Sequence, residues 1–428
     1  MTDLAINGGP KVREKLFPAH RPVGKEEAAA VSNVMESGVL SKYLGAWHAD
    51  FYGGPTVQAL ETAWAARFGA KHAVSVNSNT SGLFCAMGAI GIEPGDEVIV
   101  CGYSMSISAV APLLYGGIPV FADLEEDCFC LSAESVATKI TPRTKAILVV
   151  DLFGQVYDAA GINALAKKHG LKVVEDCAQA PGAKLDDKYA GTLGDIGVFS
   201  LNYHKHIHSG EGGMIVTDDD DLAEKMRMIR NHAESVVGPR DWPDLTNMLG
   251  FNYRMTEVEA AIALTQIDKL DGLLAKRLDN IAYIEQELAF ITAMTPPKVR
   301  EGATHAYYQH AYLWDVDAAG VDRNTFMEAV KAELPMFELR ETEGVKLGYG
   351  YVKPLYKLPI FASTSRSSNF TQQLPDYSDV TCPVLEELHH KTLVHHEFMV
   401  PSMDFSDIDD VVAAFDKVWR GRNQLAQA

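Results

Sequence analysis

Between about Lys71 and Asp218, short β-branched runs alternate with stretches of helical spacing, and this alternation narrows the possible folds more than any other feature of the chain. Strands joined through helices pair in parallel, and a parallel sheet must be wrapped by helices to stay dry. Candidate strands are Ala73–Val76, Glu97–Cys101, Pro119–Asp123, Ala146–Asp151, Lys172–Asp176, Val198–Leu201 and Met214–Thr217. Several are continuous apolar runs, as expected of strands buried on both faces. Between two of them Ile162, Leu165, Ala166 and His169 recur at helical spacing, and Gly170 supplies a left-handed stop. The expectation is an α/β protein with a mostly parallel, seven-stranded sheet flanked by helices.

A well-marked helix begins at Thr256, where Thr256-Glu-Val-Glu259 forms a capping box, and its apolar stripe continues to Leu270. Beyond about Asn280 the pattern changes to isolated strands and helices, including an alternating segment at His305–Asp315. The chain therefore divides into an arm (1–25), a large domain (26–280) and a smaller α+β domain (281–428). Arg366–Asp379, rich in Ser, Gln, Asn and Pro, reads as a surface loop.

Composition excludes several classes of function. With 47% hydrophobic and 22% charged residues the chain is globular, and its net charge of −19 repels nucleic acid, for which no basic patch compensates. The start, Met1-Thr-Asp-Leu-Ala-Ile-Asn, lacks a basic, then apolar leader, and no apolar run is long enough for a membrane span, so a cytoplasmic location is expected. Six scattered cysteines lack metal-ligand spacing and read as buried thiols. Cys128-Phe-Cys130 would share a strand face, but two thiolates alone make a poor metal site, and no metal is expected.

Three places in the sheet domain carry chemistry. Ala73-Val-Ser-Val-Asn-Ser-Asn79-Thr80-Ser-Gly is a strand, a polar turn and a helix start, where free N–H groups and the helix dipole place Asn79 and Thr80 to hold a phosphate or simply to cap the helix. Val173-Val-Glu-Asp176-Cys-Ala-Gln179 ends a buried strand on a carboxylate, where open α/β sheets bind ligands. Asp176 could pair with a protonated pyridine nitrogen or cap the next helix. In Ser200-Leu-Asn-Tyr-His-Lys205-His-Ile-His-Ser-Gly210-Glu-Gly-Gly213, a lysine stands between a buried strand and a glycine-dense turn. Desolvation and neighbouring cations would lower its pKa and make it a Schiff-base amine, against the ordinary fate of a lysine as a solvated surface residue.

Together with Ile92-Glu-Pro-Gly-Asp-Glu-Val, Ile140-Thr-Pro-Arg-Thr-Lys-Ala-Ile, Asp151-Leu-Phe-Gly-Gln and Gly250-Phe-Asn-Tyr-Arg-Met-Thr-Glu, these motifs resemble the nucleotide-sugar aminotransferases, fold-type I enzymes that use pyridoxal 5′-phosphate. The resemblance runs from about Ala5 to Leu270. It implies that Lys205 carries the cofactor, that Asp176 binds the pyridine nitrogen with Gln179 near the ring, and that Asn79, Thr80 and Ser200 hold the phosphate. It also implies that Asn252 reaches the site of a neighbouring subunit, giving a homodimer with shared active sites. Two departures stand out. Where the family places an aromatic ring over the cofactor this chain has Cys101-Gly-Tyr103-Ser-Met105, so either Met105 or Tyr103 covers the ring. His204, His206 and His208 surround the lysine, and relatives with histidine at the lysine position are sugar dehydratases; Gly210-Glu-Gly-Gly213 sets the register in favour of Lys205.

Tyr351–Phe361, Cys382-Pro-Val and Val394-His395-His396 resemble the tail of members that aminate keto-cyclitols such as scyllo-inosose, although His395 and His396 also fit a plain core strand. The implied reaction is ping-pong transfer of an amino group from glutamate or glutamine, through the pyridoxamine form of the cofactor, to a keto-sugar or keto-cyclitol, with Lys205 moving the proton. The rivals are a pyridoxal-phosphate-dependent sugar dehydratase and a non-catalytic regulatory protein of the same fold. A nicotinamide enzyme lacks its glycine fingerprint here.

Overall fold

The computed structural model describes residues 3–362 and 374–425. Seven strands build the main sheet: β1 (His72–Val76), β2 (Glu97–Cys101), β3 (Ile118–Ala122), β4 (Thr144–Val150), β5 (Lys172–Asp176), β6 (Ile196–Ser200) and β7 (Gly213–Thr217). Their order is β1-β7-β6-β5-β4-β2-β3, and only β7 runs antiparallel to its neighbours β1 and β6. All seven expected strands are present, each within two residues of its expected ends. They were legible because β2, β6 and β7 are buried at every position and the others nearly so.

Eight longer helices matter for the site: α1 (Lys25–Ser37), α2 (Pro55–Phe68), α3 (Asn79–Ala89), α4 (Ala159–His169), α5 (Asp220–Arg230), α6 (Glu257–Leu288), α7 (Arg323–Glu333) and α8 (Phe405–Gly421). Helix α4 ends at Gly170, whose φ of 68° is the left-handed stop expected of it. The Thr256 hydroxyl accepts from the Glu259 N–H at the start of α6, and the Glu259 carboxylate returns to the Thr256 N–H. The helix does not stop at Leu270. Ile281, Ile284 and Leu288 prolong its buried face, so it runs unbroken from the main sheet into the second core.

That second core lies under a four-stranded antiparallel sheet of β8 (Met294–Thr295), β9 (His310–Trp314), β10 (Leu347–Tyr349) and β11 (Leu393–His396), ordered β8-β9-β11-β10. Helices α7 and α8 close it with Phe326, Val330, Val411 and Phe415. The amino-terminal segment stitches the two parts. Phe17 is buried against Phe337 and Phe398, and farther on the Pro22 carbonyl accepts from Gln266 in α6.

Two expectations change. Phe129 has a φ of 64°, so Cys128 and Cys130 lie on a turn, where their thiols donate separately to the Lys298 and Gln155 carbonyls. Residues 366–373 of the expected surface loop lie outside the described residues, but Leu374 and Tyr377 at its end are buried, and the Tyr377 hydroxyl donates to the Pro119 carbonyl at 2.8 Å. An aromatic side chain with a bonded hydroxyl is anchoring this segment to β3. No helix among the described residues is long and apolar enough to cross a membrane.

Candidate active site

The carboxy ends of β1, β5 and β6 open into a cavity of about 500 Å³. Its floor is built by close backbone approach. Gly213, paired with Val76 on one side and Ser200 on the other, has no room for a side chain: a Cβ there would meet the Ser78 carbonyl carbon at 2.6 Å and the Asn79 nitrogen at 2.7 Å. The start of α3 therefore sits directly on the sheet. Ser78 is its cap, accepting from the Ser81 N–H at 3.1 Å. Asn79 and Thr80 are then the first helical residues; their N–H groups find no acceptor within the helix, and both residues line the cavity.

Asp176, at the end of β5, is 4% exposed. Its Oδ1 accepts from the Ala178 N–H at 3.1 Å and from the Asn79 side-chain amide at 3.1 Å. The Asn79 side chain is thus turned onto the carboxylate and the Val198 carbonyl. Burial pushes the Asp176 carboxyl up, while the Ala178 N–H, the Lys205 cation and the Asn79 amide pull it back. Its Oδ2 has no hydrogen bond among the described residues.

Lys205 lies in a turn closed by Lys205 N–H to Asn202 O and Ser209 N–H to Leu201 O, both about 3 Å, with Gly210 in the left-handed region at φ 88°. Its Nζ rests 4.2 Å from the centre of the Tyr308 ring and makes no ion pair among the described residues. Burial lowers its pKa to about 8. The expected help from neighbouring cations is absent: the charges that act on it are Asp176 and Glu397, and both oppose the shift.

Gln179 is held at both ends of its amide. Its Oε1 accepts from the Phe153 N–H at 2.6 Å, holding that residue at a left-handed φ of 59°, and its Nε2 donates to the Tyr351 hydroxyl at 3.1 Å. Ser200 is buried beside Lys205, and its hydroxyl accepts from the Asn202 N–H. Of the two residues considered for the ring face, Met105 stands at the cavity, 59% exposed, whereas Tyr103 is wholly buried. The Tyr103 hydroxyl accepts from the Tyr351 N–H at 2.6 Å and meets His389 Nδ1 at 3.0 Å, so it braces the wall from behind. Asn252 is exposed, outside the cavity of its own chain, with its Oδ1 accepting from Arg254.

The three histidines around Lys205 have separate fates. His206 is buried with Nε2 2.8 Å from the Ala306 carbonyl, His204 reaches the cavity rim and leans toward Glu343, and His208 accepts from the Gly210 N–H. His395 and His396 lie on β11, as the plainer reading had it. Sequence reasoning missed Tyr308 and Tyr351, which wall the cavity from beyond residue 300 and carry no local signal of that role.

These groups fit pyridoxal phosphate. A primary amine in no ion-pair contact, a carboxylate with a free oxygen, and a helix start whose first N–H groups lack helical acceptors all line one cavity. Comparison with known proteins agrees. A model of the DegT/DnrJ/EryC1/StrS aminotransferase family matches residues 23–416, well past the Leu270 limit of the sequence motifs. The chain is 39% identical to a GDP-perosamine synthase of Caulobacter vibrioides over 63% of its own length and 75% of that protein. It is 31% identical to an L-glutamine:2-deoxy-scyllo-inosose aminotransferase of Streptomyces kanamyceticus over 99% of its length and 98% of that protein. Among solved structures, an aminotransferase from Psychrobacter cryohalolentis superposes with a TM-score of 0.80 at 29% identity, over 95% of this chain and 99% of that one.

Proposed function

The chain belongs to the DegT/DnrJ/EryC1/StrS aminotransferase family of fold-type I pyridoxal-phosphate enzymes, and from that premise we propose that it moves an amino group from glutamate or glutamine to the carbonyl carbon of a keto-sugar or keto-cyclitol. The observation that carries the reading is the desolvated Lys205 amine facing the same cavity as Asp176 and the start of α3. Bound there, pyridoxal phosphate supplies an aldehyde for primary amines and a ring that withdraws electrons from the carbon bearing the nitrogen.

The residues divide the remaining work. Asp176, through its free Oδ2, would hold a proton on the pyridine nitrogen by a charge-assisted hydrogen bond. The Asn79 and Thr80 N–H groups and the Ser200 hydroxyl would hold the phosphate, and Met105 would lie over the ring. Gln179 would set the other wall through Phe153 and Tyr351. Lys205, with a pKa of about 8, would take the proton from the donor's α-carbon and return one to the acceptor's carbonyl carbon. A lysine whose pKa burial has lowered toward neutrality suits a group that must act in turn as base and acid.

The same reading makes the protein a homodimer in which Asn252 completes the partner's phosphate site. Its support is the exposure of Asn252 together with exposed apolar side chains at Leu40, Leu44, Trp47, Leu245 and Leu249. Six free, buried thiols suit a reducing compartment, and the proposed location is the cytoplasm. The test is to supply glutamate and glutamine as donors with a keto-cyclitol and a nucleotide-linked keto-sugar as separate acceptors. Amino transfer to either supports the reading and selects the acceptor class; no transfer from either donor refutes it.

A further inference from the structure

Three arginines are buried among the described residues, and two of them are answered. Arg230 pairs with Glu61 at 2.6 Å, and Arg323 donates to the Leu388, His389, His390 and Leu393 carbonyls at 3.0–3.1 Å. Arg277, on α6, is 4% exposed and forms no ion pair among those residues. One of its five N–H groups donates to the Tyr307 carbonyl at 2.9 Å, and the other four have no acceptor there. Burial lowers its pKa to about 10, so it stays a cation at pH 7, and the Glu397 carboxylate draws the value back. A buried guanidinium without a counter-ion is costly unless an anion completes it.

Arg277 lines a second cavity, of about 290 Å³. Tyr308 and His204 line both cavities and form the wall between them; Lys205, Asp176 and the start of α3 line only the first. The second cavity lies where three parts of the chain meet: the crossing segment at His20, helix α6, and the smaller domain at Arg340 and Glu397. Its other ions are paired. Arg340 meets Glu397 at 2.6 Å and Glu343 at 2.7 Å, and Arg21 meets Glu338 at 3.3 Å. Burial keeps His20 neutral at pH 7 by lowering its pKa to about 4, and lowers His204 and His208 as well. Val23, Tyr203 and Leu339 give the cavity an exposed apolar and aromatic side.

We propose that this cavity is a second ligand site, separate from the catalytic one, for a small monocarboxylate with an apolar or aromatic body, and that Arg277 binds its carboxylate. One unpaired cation matches one carboxylate, and the guanidinium fork fits its two oxygens. The apolar side takes the body; an inorganic anion would leave that side bare. The volume is at the lower end of the range for small-molecule sites, and a diphosphate brings more charge than one arginine neutralises. With Tyr308 between it and Lys205, the ligand is bound without being consumed. Touching the crossing segment, α6 and the smaller domain together, it stabilises their packing by mass action.

The test uses the cofactor-loaded protein with benzoate as probe, benzamide as its neutral counterpart and acetate as the same charge without the ring. By titration calorimetry the wild type binds benzoate, and benzamide and acetate each bind at least about tenfold more weakly. Benzoate raises the melting temperature and leaves the L-glutamate half-saturation of the donor half-reaction unchanged. Arg277→Met weakens benzoate binding about tenfold to a hundredfold, as expected for a lost charge-assisted hydrogen bond. Should that variant fail to fold, Leu339→Glu, at an exposed position, sets a like charge at the cavity and weakens benzoate in the same way. Three results overturn the site: no benzoate binding to the wild type, an affinity unchanged in the folded variants, or a donor half-saturation that climbs with benzoate, which would put the probe in the catalytic cavity. Failure of the aminotransferase reading looks different: no amino acid then converts the wild-type cofactor, while benzoate binding by calorimetry is untouched.

Discussion

Replacing Asp176 with Asn removes a charge that acts on Lys205 while keeping the shape of the side chain and its ability to accept from the Ala178 N–H. In the cofactor-free protein the Lys205 amine has its pKa lowered from 10.5 to about 8 by burial, against the pull of Asp176 and then Glu397. Lys205 is therefore mostly cationic below about pH 8 and neutral above it, and at pH 7 about a tenth is neutral, roughly 300-fold more than for a lysine at 10.5. Without the Asp176 carboxylate the cation loses a stabilising partner, so the pKa falls further, by about one unit, equivalent to ~1.4 kcal/mol. About half of the amine is then neutral at pH 7, and its reaction with an electrophile speeds up about fivefold there while staying the same at alkaline pH. The assay is competitive acylation across pH with trace acetic anhydride, reading the Lys205 peptide against exposed lysines by mass spectrometry. A wild-type midpoint near that of the exposed lysines, or an upward move in Asp176→Asn, would refute the burial argument.

Gly213→Ala forces a methyl group against the Ser78 and Asn79 backbone and moves the start of α3, so affinity for pyridoxal phosphate, measured by fluorescence titration, should fall about tenfold; unchanged affinity would mean that the helix start does not hold the phosphate. Thr256→Ala removes the capping box of α6 and should cost about 1 kcal/mol in urea unfolding, with the fold otherwise kept. Tyr351→Phe leaves the ring but deprives Gln179 Nε2 of its acceptor; turnover should fall several-fold, on the order of 1 kcal/mol, with little change in the melting temperature.

How far the chain could be read before its structure depended on how local each feature is. The strands, the Gly170 stop and the Thr256 box are written in a few adjacent residues, and they were legible. Asp176 and Thr80 were singled out because each sits at a strand end or helix start, where backbone groups are left for a ligand, and Lys205 because it precedes a glycine-dense turn. Side-chain direction was not legible. Asn79 turns onto Asp176, and Tyr103 braces Tyr351 while Met105, two residues on, meets the cavity; nothing in either local sequence separates them. Tyr308 and Tyr351 arrive from distant segments, and only the assembled fold brings them to the Lys205 cavity. The length of α6 was missed for a related reason, because its later apolar residues face a different core from its earlier ones.

One buried amine near a buried carboxylate is the centre of the account. The purified protein should turn yellow with pyridoxal phosphate, and borohydride reduction followed by peptide mapping should place the fixed cofactor on Lys205. A label on any other lysine, or a protein that stays colourless with the cofactor in excess, would contradict it.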